Sequence, residues 1–188
     1  MKLIGIAGTN GSGKDTVGKL LAEEHGFLFV SVSDLLREEC RRRGLAVERE
    51  NLRQISAEWR RLGGLGVLVD KAVQLFKDQR KNYAGLAMAS LRNPGECTRI
   101  TEFGGVNVWV DADPKIRYER VQAANRGRGG EDDVSFADFL EHEKAEMHHS
   151  GDEATLNMAG VKALADVEII NETDLDTLRD QVQQLITK

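Results

Sequence analysis

Seven residues near the start, Gly8-Thr9-Asn10-Gly11-Ser12-Gly13-Lys14, constrain this chain more than any others. Glycines spaced this closely weaken a helix or a strand, because each adds backbone freedom and removes a side chain that would pack. An apolar run, Lys2 to Ala7, precedes them, and Lys14 to His25 follows with Val17, Leu20 and Leu21 at helical spacing. Strand, glycine loop and helix in that order turn the loop's N–H groups inward as a nest, with a helix N-terminus behind it. Such a nest attracts anions, and the spacing G-x-x-x-x-G-K suits the terminal phosphates of a nucleotide.

The rest of the chain repeats the alternation. Phe27 to Val32, Gly85 to Leu91, Val106 to Asp111 and Ala165 to Ile170 are short apolar runs, separated by helical stretches. Strands without polar alternation are buried on both faces, and parallel strands need helical crossovers. The expected fold class is therefore α/β: a doubly wound, three-layer α/β/α arrangement around a five-stranded parallel sheet, with residues 1–188 as one domain. Ser33 and Asp34 are good N-caps for a helix after the second strand. Residues 35–81 then read as several short helices, broken at Gly44 and at Gly63, Gly64 and Gly66. Lys115 to Asn125 should be helical, and residues 126–135 form a glycine-rich, charged loop. Ser135 with Asp138 and Thr173 with Asp176 have capping-box spacing for two further helices.

Composition excludes several classes. A net charge of -5 argues against a general nucleic-acid binder, while local arginine clusters still suit an anionic metabolite. Cys40 and Cys97 lack metal-ligand or redox spacing and read as free thiols in a reducing compartment. The apolar run at the N-terminus is too short for a signal segment or a membrane span, so a cytoplasmic protein with no membrane partner is expected, as a monomer or small homo-oligomer.

The chemistry expected of the first loop is ATP binding, with Gly8, Asn10, Gly11, Ser12, Gly13 and Lys14 around the phosphates. Asp15 stands directly after the lysine, with the hydroxyl one place later at Thr16. This Gly-Lys-Asp-Thr spelling resembles nucleoside and deoxynucleoside monophosphate kinases, which implies Thr16 beside the α-phosphate. Asp15 is the candidate for Mg2+, held through water, since a bare carboxylate against a triphosphate is repelled.

Ser33-Asp34-Leu35-Leu36-Arg37 resembles the Thr-Gly-Asp-Leu-Leu-Arg element of adenylate-kinase-like enzymes, and with Glu38-Glu39 it is similar to a segment of an uncharacterised archaeal group of P-loop kinases. The resemblance implies that Arg37 clamps the acceptor phosphate, a contact suited to a planar guanidinium. Asp34 would serve as base for a hydroxyl acceptor. Leu91-Arg92-Asn93-Pro94-Gly95-Glu96 resembles the Val-Arg-x-Pro-x-Glu element of deoxynucleoside monophosphate kinases and implies an anion contact by Arg92. The acidic residue often found just before that element is missing, the sequence reading Met88-Ala89-Ser90. In the basic run from Arg41 to Arg61, a solvated helix face is the plainer reading, with Arg53 the best further acceptor contact.

Arg120 and Arg126 resemble lid arginines of adenylate-kinase and dephospho-coenzyme A kinase relatives, with Arg126 and Arg128 placed to stabilise the moving phosphoryl group. Asn171, after the last strand, stands where these enzymes pack adenine. The expected activity is ATP-dependent phosphorylation of a small phosphorylated metabolite, a nucleoside or deoxynucleoside monophosphate, with Lys14, Arg92, Arg126 and Asp34 as the catalytic set. A dephospho-coenzyme A kinase and an ATPase or switch driving a protein partner are the alternatives.

Overall fold

The computed structural model describes residues 1–124, 134–147 and 151–187. Five strands, β1 (Lys2–Gly8), β2 (Phe27–Ser31), β3 (Gly85–Ala89), β4 (Val106–Asp111) and β5 (Val167–Ile170), form one all-parallel sheet in the order β2-β3-β1-β4-β5. The fold is thus the α/β arrangement expected. Side chains of successive strand residues alternate between the faces. Leu3, Leu86, Met88 and Trp109 enter one core layer, and Ile4, Ile6, Ala87, Val108 and Val110 the other.

The second layer is closed by α1 (Lys14–His25) and α9 (Leu175–Thr187), which contribute Val17, Leu20, Leu21, Leu178 and Val182. The first is covered by α2 (Val32–Arg42), α3 (Arg49–Gly63), α4 (Val67–Asp78), α5 (Pro94–Glu102) and the short α8 (Met158–Ala163). Two further helices, α6 (Pro114–Ala123) and α7 (Phe136–Met147), follow β4. Tyr118 of α6 meets the rings of Phe136 and Phe139 edge-on, which holds α7 against α6.

Some boundaries differ from expectation. Helix α2 begins at Val32, so Ser33 and Asp34 lie inside its first turn, where a carboxylate favours the positive end of the helix. Asp174, not Thr173, caps α9, accepting from the Thr177 N–H at 2.8 Å. The sequence reading contained no counterpart of α8. Cys40 and Cys97 are buried and free. Among the described residues no helix is long and apolar enough to cross a membrane.

With β1 in the middle of the sheet, its carboxyl end lies between those of β3 and β4. The loops leaving these strands gather in one crevice, the place where open parallel sheets bind ligands.

Candidate functional site

The loop from Gly8 to Lys14 is glycine-rich for two reasons at once. Gly11 and Gly13 have φ of 79° and 93°, a left-handed conformation that other residues seldom adopt. A Cβ would also come to 2.4 Å from the Arg117 carbonyl at Gly11 and to 2.2 Å from the Asn171 amide nitrogen at Gly13. Lys14 Nζ turns back to the Thr9 carbonyl at 3.4 Å. The hydroxyls of Thr9 and Ser12 are buried and, among the described residues, meet no hydrogen-bond partner. Buried hydroxyls of that kind call for an acceptor, and the uncapped N-terminus of α1 offers amide donors beside them. These groups fit a chain of phosphates.

Asp15 and Thr16 occupy the exposed first turn of α1. No group of three or more His, Cys, Asp or Glu side chains able to hold a metal is found among the described residues. Mg2+ is commonly held by one or two carboxylates together with substrate phosphates, and Asp15 is a carboxylate of that kind at the start of α1.

Two residues expected at the nucleotide support the loop. The Asn171 amide, on the turn after β5, donates to the Ser12 carbonyl at 2.8 Å, and Arg120 donates to the Asn171 carbonyl at 2.8 Å. Asn171, expected at adenine, and Arg120, expected at phosphate, thus also brace the loop from the turn after β5. Arg117 is also structural. It is buried, donates to the Ala112 carbonyl at 2.7 Å and pairs with Glu143 of α7 through both terminal nitrogens. Asp111, at the end of β4, sits beside it. Burial pushes that carboxyl up, but hydrogen bonds from Trp109, the Ala112 N–H and Lys162 outweigh burial and hold it below the ordinary value.

On the acceptor side, Arg37 pairs with Asp34 at 2.6 Å, one turn apart on α2. Arg92, after β3, lies 3.3 Å from Glu146 of α7, and Arg49 of α3 lies 3.7 Å from the same oxygen. Arg53 adds its charge to this group. Arg37 and Arg92, expected to hold the acceptor together, thus have separate partners, and it is Arg53, the further candidate, that neighbours Arg92 around one carboxylate. A small cavity of about 30 Å³ is bordered by Asn10 of the phosphate loop, by Arg49 and Glu146 of this cluster, and by His142 and Glu143.

The remaining arginines of the basic run have mixed fates. Arg60, expected on a solvated face, is buried and pairs with the fully buried Glu96 at 2.7 Å. Glu96 also accepts the N–H groups of Arg92 and Asn93, at 2.8 and 3.1 Å, so this pair holds the Arg92 turn in place. Arg42 and Arg43 both bind Glu39, and Arg43 also binds Glu58 on α3. Arg126 and Arg128, the expected lid arginines, lie outside the described residues. Sequence reasoning missed Arg49, Glu143 and Glu146; the only hint of the last two was their spacing of three on a helix.

A family model described as an AAA domain matches residues 4–146. A UPF0200 protein of Methanococcus vannielii is 30% identical, over 100% of this chain and 96% of its own. Another from Thermococcus onnurineus is 30% identical, over 99% and 97%. Among solved structures, shikimate kinase from Bacteroides thetaiotaomicron superimposes with a TM-score of 0.60 at 16% identity, covering 99% of this chain and 96% of that one. Shikimate kinase from Aquifex aeolicus does so with 0.56 at 18%, covering 98% and 96%.

Proposed function

Since the chain belongs to the AAA-domain family and, with the UPF0200 proteins, to a P-loop kinase-like group that includes uncharacterised archaeal members, we propose that it is a cytoplasmic ATP-dependent kinase of a phosphate-bearing small molecule, a nucleoside or deoxynucleoside monophosphate. The observation that carries this reading is the cluster of Arg49, Arg53 and Arg92 around Glu146, which borders, through Arg49 and Glu146, the same small cavity as Asn10 of the phosphate loop. A phosphate-type loop and an arginine cluster that border one cavity suit transfer of a phosphoryl group between two anionic substrates.

In this reading the loop amides, Lys14 and the hydroxyls of Thr9 and Ser12 bind the donor phosphates. Asp15 helps to hold Mg2+ through water. When bound, ATP supplies the phosphoryl group and its magnesium neutralises charge on the phosphates. Arg92 and Arg53 orient the acceptor, so that the bond from the γ-phosphorus to its bridging oxygen breaks as the acceptor oxygen bonds to phosphorus and ADP departs. An ionised phosphate acceptor needs no base. A hydroxyl acceptor such as dephospho-coenzyme A would pass its proton to Asp34.

The test is ADP formation from ATP and magnesium against a panel of nucleoside monophosphates, deoxynucleoside monophosphates and dephospho-coenzyme A, with products identified by mass. Acceptor-dependent turnover supports the proposal and names the substrate. Slow turnover that no acceptor stimulates would replace it with an ATPase or switch acting on a protein. Lys14→Ala should abolish turnover while leaving the circular dichroism spectrum unchanged; retained turnover would remove the proposed donor site.

A further inference from the structure

The acceptor-side arginines surround a carboxylate of the chain itself. Glu146 is largely buried, with 17% of its side chain exposed, and one of its oxygens faces Arg92 at 3.3 Å and Arg49 at 3.7 Å. Burial pushes its carboxyl up, but Arg92, Arg49 and Arg53 outweigh burial and hold it below the ordinary value, so it is a carboxylate at neutral pH. Glu143, one turn earlier on α7, is occupied by Arg117 on the phosphate-loop side. Helix α7 therefore reaches both sides of the crevice through two carboxylates on one face.

We infer that Glu146 is an internal stand-in for the acceptor's anionic group, so that a ligand binds this cluster by displacing it and the site selects a dianionic phosphate over a monocarboxylate. This rests on the proposed acceptor site and sharpens its substrate class. The argument is one of charge. A carboxylate tethered beside its site acts as though present at on the order of millimolar concentration or more. A free monocarboxylate would replace like with like and must overcome that advantage with no gain in charge. A phosphate dianion brings a second charge and a third acceptor oxygen to three guanidinium groups, which outweighs the tether. The other carboxylate bordering the same cavity, Glu143, is offset by its pairing with Arg117.

The test is calorimetric titration of the full chain with sodium phosphate and with sodium acetate at constant ionic strength. The wild type should bind phosphate with an affinity that falls in Arg92→Gln, and should show no Arg92-dependent binding of acetate. Glu146→Gln, which removes the charge and keeps the shape, should bind phosphate about tenfold more tightly, the scale of one charge-assisted contact. Glu146→Ala should show a similar gain, and in Glu146→Gln/Arg92→Gln the gain should vanish. Unchanged phosphate affinity in both Glu146 variants, or a gain that survives loss of Arg92, overturns the inference and leaves Glu146 as a clamp for α7. The two readings fail separately. Acceptor-dependent ADP formation with no effect of Glu146 on phosphate sinks only the inference, whereas an Arg92-dependent gain without acceptor-dependent turnover sinks only the kinase assignment.

Discussion

Replacing Glu96 by glutamine should cost this protein more than any single exposed charge. Glu96 is fully buried and accepts from Arg60 Nη2 at 2.7 Å and Nε at 3.2 Å, and from the N–H groups of Arg92 and Asn93. Glutamine has one acceptor oxygen where the carboxylate has two. Its oxygen serves either Arg60, with the amide NH2 then against the N–H groups of Arg92 and Asn93, or those N–H groups, with Arg60 left to the Ala154 carbonyl at 2.9 Å and the Ser56 hydroxyl at 3.4 Å; either way the buried guanidinium loses its countercharge. Removing one partner of a buried ion pair typically costs about 3–5 kcal/mol. In a chain of this size each kcal/mol lowers the melting temperature by about 2–4 °C, so a fall of roughly 10 °C is expected by circular dichroism. Adding Arg60→Met removes the stranded charge and should restore most of the loss, because a buried pair is often replaceable by apolar packing. A melting temperature within about 2 °C of wild type for Glu96→Gln alone would refute the reasoning. It would mean that water reaches the pair.

Asn171→Ala removes the 2.8 Å bond to the Ser12 carbonyl and leaves that carbonyl unpaired beneath the phosphate loop. A weakening of nucleotide binding of about tenfold, as for loss of one buried hydrogen bond, should follow with the fold intact. Titration with a fluorescent ATP analogue checks this, and unchanged affinity would show that the loop needs no brace. Glu39 is held down to about 2 from 4.5, chiefly by hydrogen bonds from Arg42 and then Arg43. Its folded pKa lies below its unfolded one, so its contribution is complete above about pH 4.5 and is lost as pH falls toward 2. Urea titrations across that window should show a shallower pH dependence for Glu39→Gln than for wild type; equal slopes would mean that the α2–α3 ion network is indifferent to its charge.

What could be read from the sequence was whatever rests on local chemistry. Helix α1 runs from Lys14 to His25 as its spacing demands, and Gly26, left-handed at φ 68°, closes it as a glycine C-cap should. The parallel sheet follows from continuous apolar runs. The fates of neighbouring arginines do not: Arg60 is buried on Glu96 while Arg61 is exposed and pairs with Asp152, and only the packing of α3 on α5 separates them. The same holds for Asn171, whose partner is 159 residues earlier in the chain.

The end of β3 shows how a sequence oddity acquires a physical meaning only in place. The missing acid after Met88 leaves a buried alanine, and the next residue, Ser90, is the sole non-glycine residue with positive φ, at 69°, among those described. A serine held there is a strained backbone in the crevice, which persists only when its surroundings fix it. The surroundings are visible: Leu91 N–H reaches the Ile6 carbonyl of β1 at 3.4 Å, and Glu96 grips the N–H groups of Arg92 and Asn93. The turn is thus held from both sides, and what it presents to the crevice is the guanidinium of Arg92 rather than a carboxylate. Positive charge at this strand end is consistent with a site organised around two anionic partners.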